Sequence, residues 1–84
     1  MTYSPIRCDL YDYIEIACMR KYSLEVLLKT NVKIQGIAKN TRVKDKEEFI
    51  ILEKDQLAFE IRLDKIKEIT VLNENSEFQT VTIN

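Results

Sequence analysis

Histidine and tryptophan are absent from this 84-residue chain, glycine and proline occur once each, and there are two cysteines. Each scarcity removes a class of chemistry. Without histidine, the side chain best suited to proton transfer near neutral pH is missing, and no motif sets a serine or cysteine beside a base. An enzyme is not expected. Asp12 and Glu15, three positions apart on an exposed helix, have no cleft around them and so do not read as a glycosidase pair. A single glycine excludes the glycine-rich loops that cradle phosphates, and nothing else in the sequence marks a cofactor site. Zinc favours cysteine and histidine ligands, and with Cys8 and Cys18 ten positions apart no metal site is expected. On one straight helix that spacing is about 15 Å of rise, beyond disulfide reach, so both thiols are expected to be reduced.

A surplus of one charge is missing as well: 13 basic residues face 14 acidic ones, for a net charge of −1. General nucleic-acid binders of this size rely on a basic excess to neutralise phosphates, so direct nucleic-acid binding is not expected. No apolar run exceeds four residues, as at Phe49–Leu52, and the N-terminus lacks a basic patch followed by an apolar stretch. Neither a membrane span nor a secretory leader is indicated, and the cytoplasm is the expected compartment.

What is present is the composition of a globular protein, 45% hydrophobic and 32% charged. Residues 1–84 are expected to form one domain with a small core, because a chain this short buries only about 60–65% of its unfolded surface. Residues 8–18 contain three carboxylates and no basic residue. At about 100° per residue, Leu10, Tyr13, Ile14, Ala17 and Cys18 form a core-facing stripe of a helix over about 9–20, leaving Tyr11, Asp12 and Glu15 opposite. Asp9 can cap the first free N–H groups, Asp12 complements the helix dipole, and Ile6 can staple the chain entry. Folding therefore accounts for part of the acidity. It gains little from a tyrosine on the wet side, whereas tyrosine is enriched among interface anchors, and clustered carboxylates steer a helix toward a basic partner.

Beyond the helix the period changes to two. Leu24, Val26 and Leu28 alternate with polar residues, a break falls at Thr30-Asn31, and Val32, Ile34 and Ala38 resume the alternation, which predicts a hairpin. Gly36 lies inside the second strand, where a missing side chain marks a bulge, a bend or a close backbone approach. Residues 39–48 are dense in charge and read as strand end plus loop. A second hairpin is predicted from Phe49–Leu52 and Leu57–Leu63 around Lys54-Asp55-Gln56, then a strand through Ile66, Ile69 and Val71, and a last one over 78–83. The expected fold is mostly β with one N-terminal helix: a small barrel or sandwich of about six short antiparallel strands over 23–83.

Two blocks resemble the Rof family, inhibitors of the bacterial transcription termination factor Rho. The first is Tyr-x-Pro-Ile-x-Cys-Asp at Tyr3 to Asp9, running into Tyr-Asp-x-Ile-Glu-Ile-Ala-Cys at Tyr11 to Cys18; the second is Ile61-Arg62-Leu63-Asp64-Lys65-Ile66. The resemblance covers essentially the whole chain and implies an Sm-like β-barrel with an N-terminal helix. It also implies a protein that binds the RNA-binding domain of Rho and keeps transcripts off its primary site. A basic, base-stacking site of that kind is one that carboxylates and a tyrosine can occupy in place of phosphates and a base. By this likeness Tyr11, Asp12 and Glu15 match contact positions, and Lys44 and Lys46 lie where further contacts fall, although Asp45 departs from the pattern. With Asp9, these form the expected partner-binding set, on a protein expected to be monomeric when free. Arg62 and Asp64 read instead as an ion pair and turn cap. The competing reading is an Sm-like RNA-binding module that self-assembles and uses Lys39, Arg42, Lys44 and Lys46, against which the near-neutral charge counts.

Overall fold

Among the described residues of the computed structural model, the alternation of apolar residues in the sequence becomes one helix followed by six antiparallel strands. Residues 8–73 and 80–83 are described, and the side chains of residues 8 and 9, with residues 1–7, 74–79 and 84, lie outside the described set. The helix α1 (Cys8–Met19) is followed by β1 (Ser23–Leu28), β2 (Lys33–Lys44), β3 (Glu47–Lys54), β4 (Leu57–Arg62), a 3-10 turn (Leu63–Lys65), β5 (Ile66–Val71) and β6 (Thr80–Thr82). The strands form one sheet in the order β4-β3-β2-β1-β5-β6. The mostly-β expectation with one N-terminal helix holds. β4 and β6 stand at opposite ends of the order, so among the described residues the sheet is open rather than closed into a hydrogen-bonded ring.

Helix α1 ends in a Schellman arrangement. Lys21 takes a left-handed φ of 53°, the Tyr22 N–H donates to the Ala17 carbonyl at 3.0 Å, and the Lys21 N–H donates to that of Cys18 at 3.2 Å. Tyr22 is thereby turned into the core, 7% exposed, and the chain enters β1.

Strand β2 bends the sheet. Its first half, Lys33–Ile37, pairs with β1, and its second half, Ile37–Lys44, pairs with β3. A register shift between Ala38 and Asn40 leaves Lys39 as an extra residue, and the inward positions change phase from Ile34, Gly36 and Ala38 to Thr41. Of the bulge, bend or close approach that its place in a strand predicts, Gly36 supplies the close approach. A Cβ there would stand 3.0 Å from the Leu52 Cβ and 3.2 Å from the Glu53 carbonyl oxygen.

Residues 39–48 are not strand end plus loop. β2 continues to Lys44, β3 begins at Glu47, and only Asp45-Lys46 separates them, with left-handed φ values of 51° and 65°. Two consecutive positive φ values make the type I′ turn whose twist matches that of a hairpin, and Asp55-Gln56 repeats it between β3 and β4 with 53° and 68°. Neither turn carries the usual glycine. The last strand is seen as Thr80–Thr82, and the rest of the segment expected over 78–83 falls partly outside the described residues.

The inner face of the bent sheet holds Leu24, Val26, Ile50, Leu52 and Ile66, which with Leu63 of the 3-10 turn are all 0% exposed, and α1 adds Ile14, Ala17 and Cys18 to the same core. Each such aliphatic side chain contributes about 1.5–3 kcal/mol by leaving water. Among the described residues no charged side chain is buried with them, so their charges are available to the surface.

Candidate functional site

The buried stripe of α1 is centred on Ile14, with Ala17 and Cys18, and Leu10 and Tyr11 lie half-buried beside it. That centre is rotated by roughly 30° from the one predicted, because at about 100° per residue the helix leans toward Tyr11 and away from Tyr13. The two tyrosines exchange roles as a result. Tyr11, expected to stand out between the acids, packs its ring against the core, and Tyr13, expected inside, is 39% exposed. The ring of Tyr11 therefore forms a flank of the outward face and not its crest. The azimuth is set by how the helix meets the sheet, to which the Schellman turn joins its far end, and that is a tertiary effect the helical repeat does not carry.

Asp12 and Glu15 are exposed, as predicted, and neither is paired with a base among the described residues. The ridge they form continues to Met19, seven positions after Asp12 and 75% exposed. The residues expected from sequence do not include Met19. A signal for it exists in the helical repeat, since i, i+3 and i+7 share one side of a helix. The Asp9 side chain lies outside the described residues.

Cys18 lies under this face. Burial pushes its thiol up from 9.0 to about 11, Glu15 adds to the rise, and Lys21 partly offsets it. The thiol stays protonated at neutral pH and packs as a small apolar group.

Lys44 and Lys46 are exposed at the tip of the β2–β3 hairpin, with no acidic partner among the described residues. The structure does not gather them with the helix acids. Lys39–Thr41 of β2 shares an open groove with Glu15, Cys18 and Met19, and Lys44 lies three residues, about 10 Å, further along the strand. The other basic residues of the segment are engaged: Lys39 Nζ lies 3.9 Å from Glu53 Oε1, and Arg42 pairs with Glu60.

Arg62 and Asp64 form the expected ion pair, but the expected turn cap is not made, since the 3-10 turn has no side-chain cap hydrogen bond. Arg62 donates from Nε to Asp64 Oδ1 at 3.1 Å and from Nη2 to Oδ2 at 2.8 Å, while Nη1 reaches Glu47 Oε2 at 2.7 Å. This fork ties the start of β3 to the end of β4 and to the 3-10 turn. Among the described residues no group of three or more cysteine, aspartate or glutamate side chains is placed to hold a metal ion, and no helix is long and apolar enough to cross a membrane.

Comparison with known proteins adds a family to this geometry. A family model described as modulator of Rho-dependent transcription termination (ROF) matches residues 5–83. The chain is 38% identical over 65 residues to the protein rof of Escherichia coli strain K12, covering 77% of each chain, and equally to that of Shigella flexneri. Its fold is similar to that of YaeO from Vibrio cholerae O395, solved bound to magnesium, with a TM-score of 0.80 at 25% identity, covering 88% of this chain and 97% of that one.

Proposed function

The chain belongs to the Rof family of modulators of Rho-dependent transcription termination, and from that premise we propose that it acts by binding the RNA-binding domain of Rho through the outward face of α1. In this reading the whole chain, residues 1–84, is one Rof-type unit. It works in the bacterial cytoplasm as a monomer, without catalysis or cofactor, and denies the transcript its primary site on Rho. The observation that carries the reading is the pair Asp12 and Glu15, exposed and free of ion pairs among the described residues on a helix whose other side is committed to the core. Two unneutralised carboxylates with a tyrosine at their flank offer a basic RNA-reading surface the charges and the ring it would otherwise take from RNA. Asp9 joins this set through the family likeness, and Lys44 and Lys46 reach a second point of the same partner from the hairpin tip.

The RNA-module reading has less support, because Lys39 and Arg42 are occupied by Glu53 and Glu60. Asp12→Lys and Glu15→Lys test both. Each is expected to lower the affinity for purified Rho by at least about tenfold and to leave the melting temperature within a degree or two, since exposed charges contribute little to folding. Unchanged Rho binding by both variants, with steep salt-dependent RNA binding by the free protein, would favour the RNA module instead.

A further inference from the structure

The face of α1 does not end at its acids. Between the C-terminal half of the helix and the bulge of β2 lies an open groove of about 290 Å³, lined by Glu15, Cys18, Met19, Lys39, Asn40 and Thr41. The bulge lies at this space: the extra residue at Lys39 shifts the pairing of β2 with β3 and changes the side on which its side chains stand.

The walls differ in chemistry. Glu15 supplies a carboxylate that is unpaired among the described residues, and the cation of the lining, Lys39, is drawn to Glu53 at 3.9 Å. Asn40 Oδ1 accepts the Thr41 N–H at 2.8 Å, which fixes the amide and leaves that oxygen a second lone pair, and Thr41 adds a hydroxyl. Met19 forms an exposed, polarizable lip, and Cys18 an uncharged floor. An anionic head with oxygen acceptors at one side and a thioether at the other matches a long side chain with an aliphatic stem and a cationic end.

We propose that this groove receives one arginine or lysine side chain from the protein partner, its charge on Glu15, its stem along Met19, and Asn40 and Thr41 accepting the remaining hydrogen bonds. The proposal rests on the reading of α1 as the Rho-facing element and adds a point of specificity to it. Arginine is the better occupant, because its planar fork of donors meets several oxygens at once and stacks on a polarizable surface. Met19, Asn40 and Thr41 thereby become specificity residues, while Asp12 lies outside the groove and acts through its charge alone.

The test uses the full chain and purified Rho, with binding followed by calorimetry. Asn40→Arg gives the groove a cation of its own, at an exposed position on a strand, and is expected to weaken Rho binding by at least about tenfold. Met19→Ala removes the lip and is expected to weaken it by about threefold to tenfold. Thermal melts establish that both variants remain folded. If both bind Rho as the parent does while Asp12→Lys does not, the groove is not a contact and the proposal fails, with the helix reading intact. If Asp12→Lys and Glu15→Lys also bind as the parent does, the helix reading fails, and the groove proposal with it. Weakened binding by Asn40→Arg and Met19→Ala supports the groove.

Discussion

Two side chains of this protein are constrained by what they must not be. At Gly36, a methyl group would press within 3.0 Å of the Leu52 Cβ and 3.2 Å of the Glu53 carbonyl, both of which are fixed by the β2–β3 pairing. Gly36→Ala is therefore expected to cost about 1–3 kcal/mol, because relief requires the backbone of β3 to move. Urea unfolding reads this as a lower midpoint at an unchanged slope, and a parental midpoint would show that the strands can separate freely. At Cys18, the thiol must not ionise. Its folded value of about 11 lies above the ordinary 9.0, so the folded state holds the proton more tightly than the unfolded one. The stability this represents, on the order of 2 kcal/mol, is fully present below about pH 9 and is lost as the pH rises toward 11. Cys18→Ala also loses packing, but it removes this dependence. The stability gap between parent and variant is thus expected to narrow from pH 8 to pH 10.5 in urea titrations, and a constant gap would contradict burial as the cause of the raised value.

Elements in this chain are held by turns that lack their preferred residues. Lys21 ends α1 in a left-handed conformation that glycine adopts without cost. Lys21→Gly is expected to stabilise the protein by about 0.5–1 kcal/mol, seen as a melting temperature raised by a few degrees. Replacing Asp45-Lys46 with Asn-Gly, the preferred pair for a type I′ turn, should act in the same direction on the β2–β3 hairpin. The same turns explain what could be read from the sequence. β1, β4 and β5 were legible from their alternation, β3 from its short apolar run, and the choice of bulge, bend or close approach at Gly36 from the lone glycine in a strand. The β2–β3 hairpin was not, because Asp45-Lys46 gives no glycine signal and the bulge at Lys39 breaks the alternation that would have carried the strand to Lys44. In the candidate site, Asp12 and Glu15 were legible from helical periodicity. The exchange of Tyr11 with Tyr13 was not, since a rotation of roughly 30° depends on where the sheet receives the helix, and that is a tertiary effect beyond the helical repeat.

At the scale of the whole molecule, the net charge of −1 is too small to steer the protein from afar, so any electrostatic attraction to Rho comes from local placement. Asp12 stands on the outer ridge of α1, where solvent and salt screen it, and the groove between α1 and β2 is the more enclosed part of the same face. These two settings separate kinetically. A rim charge acts mainly on the encounter, whereas a group that pairs inside a desolvated contact acts on the lifetime of the complex. Asp12→Lys is therefore expected to slow association with Rho several-fold at low salt, with a difference that shrinks as ionic strength rises past about 0.15 M. Asn40→Arg is expected to hasten dissociation instead, with little dependence on salt. Surface-based kinetics at two salt concentrations measures both. If the two variants alter the same rate constant with the same salt response, the face behaves as one undifferentiated acidic patch, and the division into a steering ridge and a reading groove is wrong.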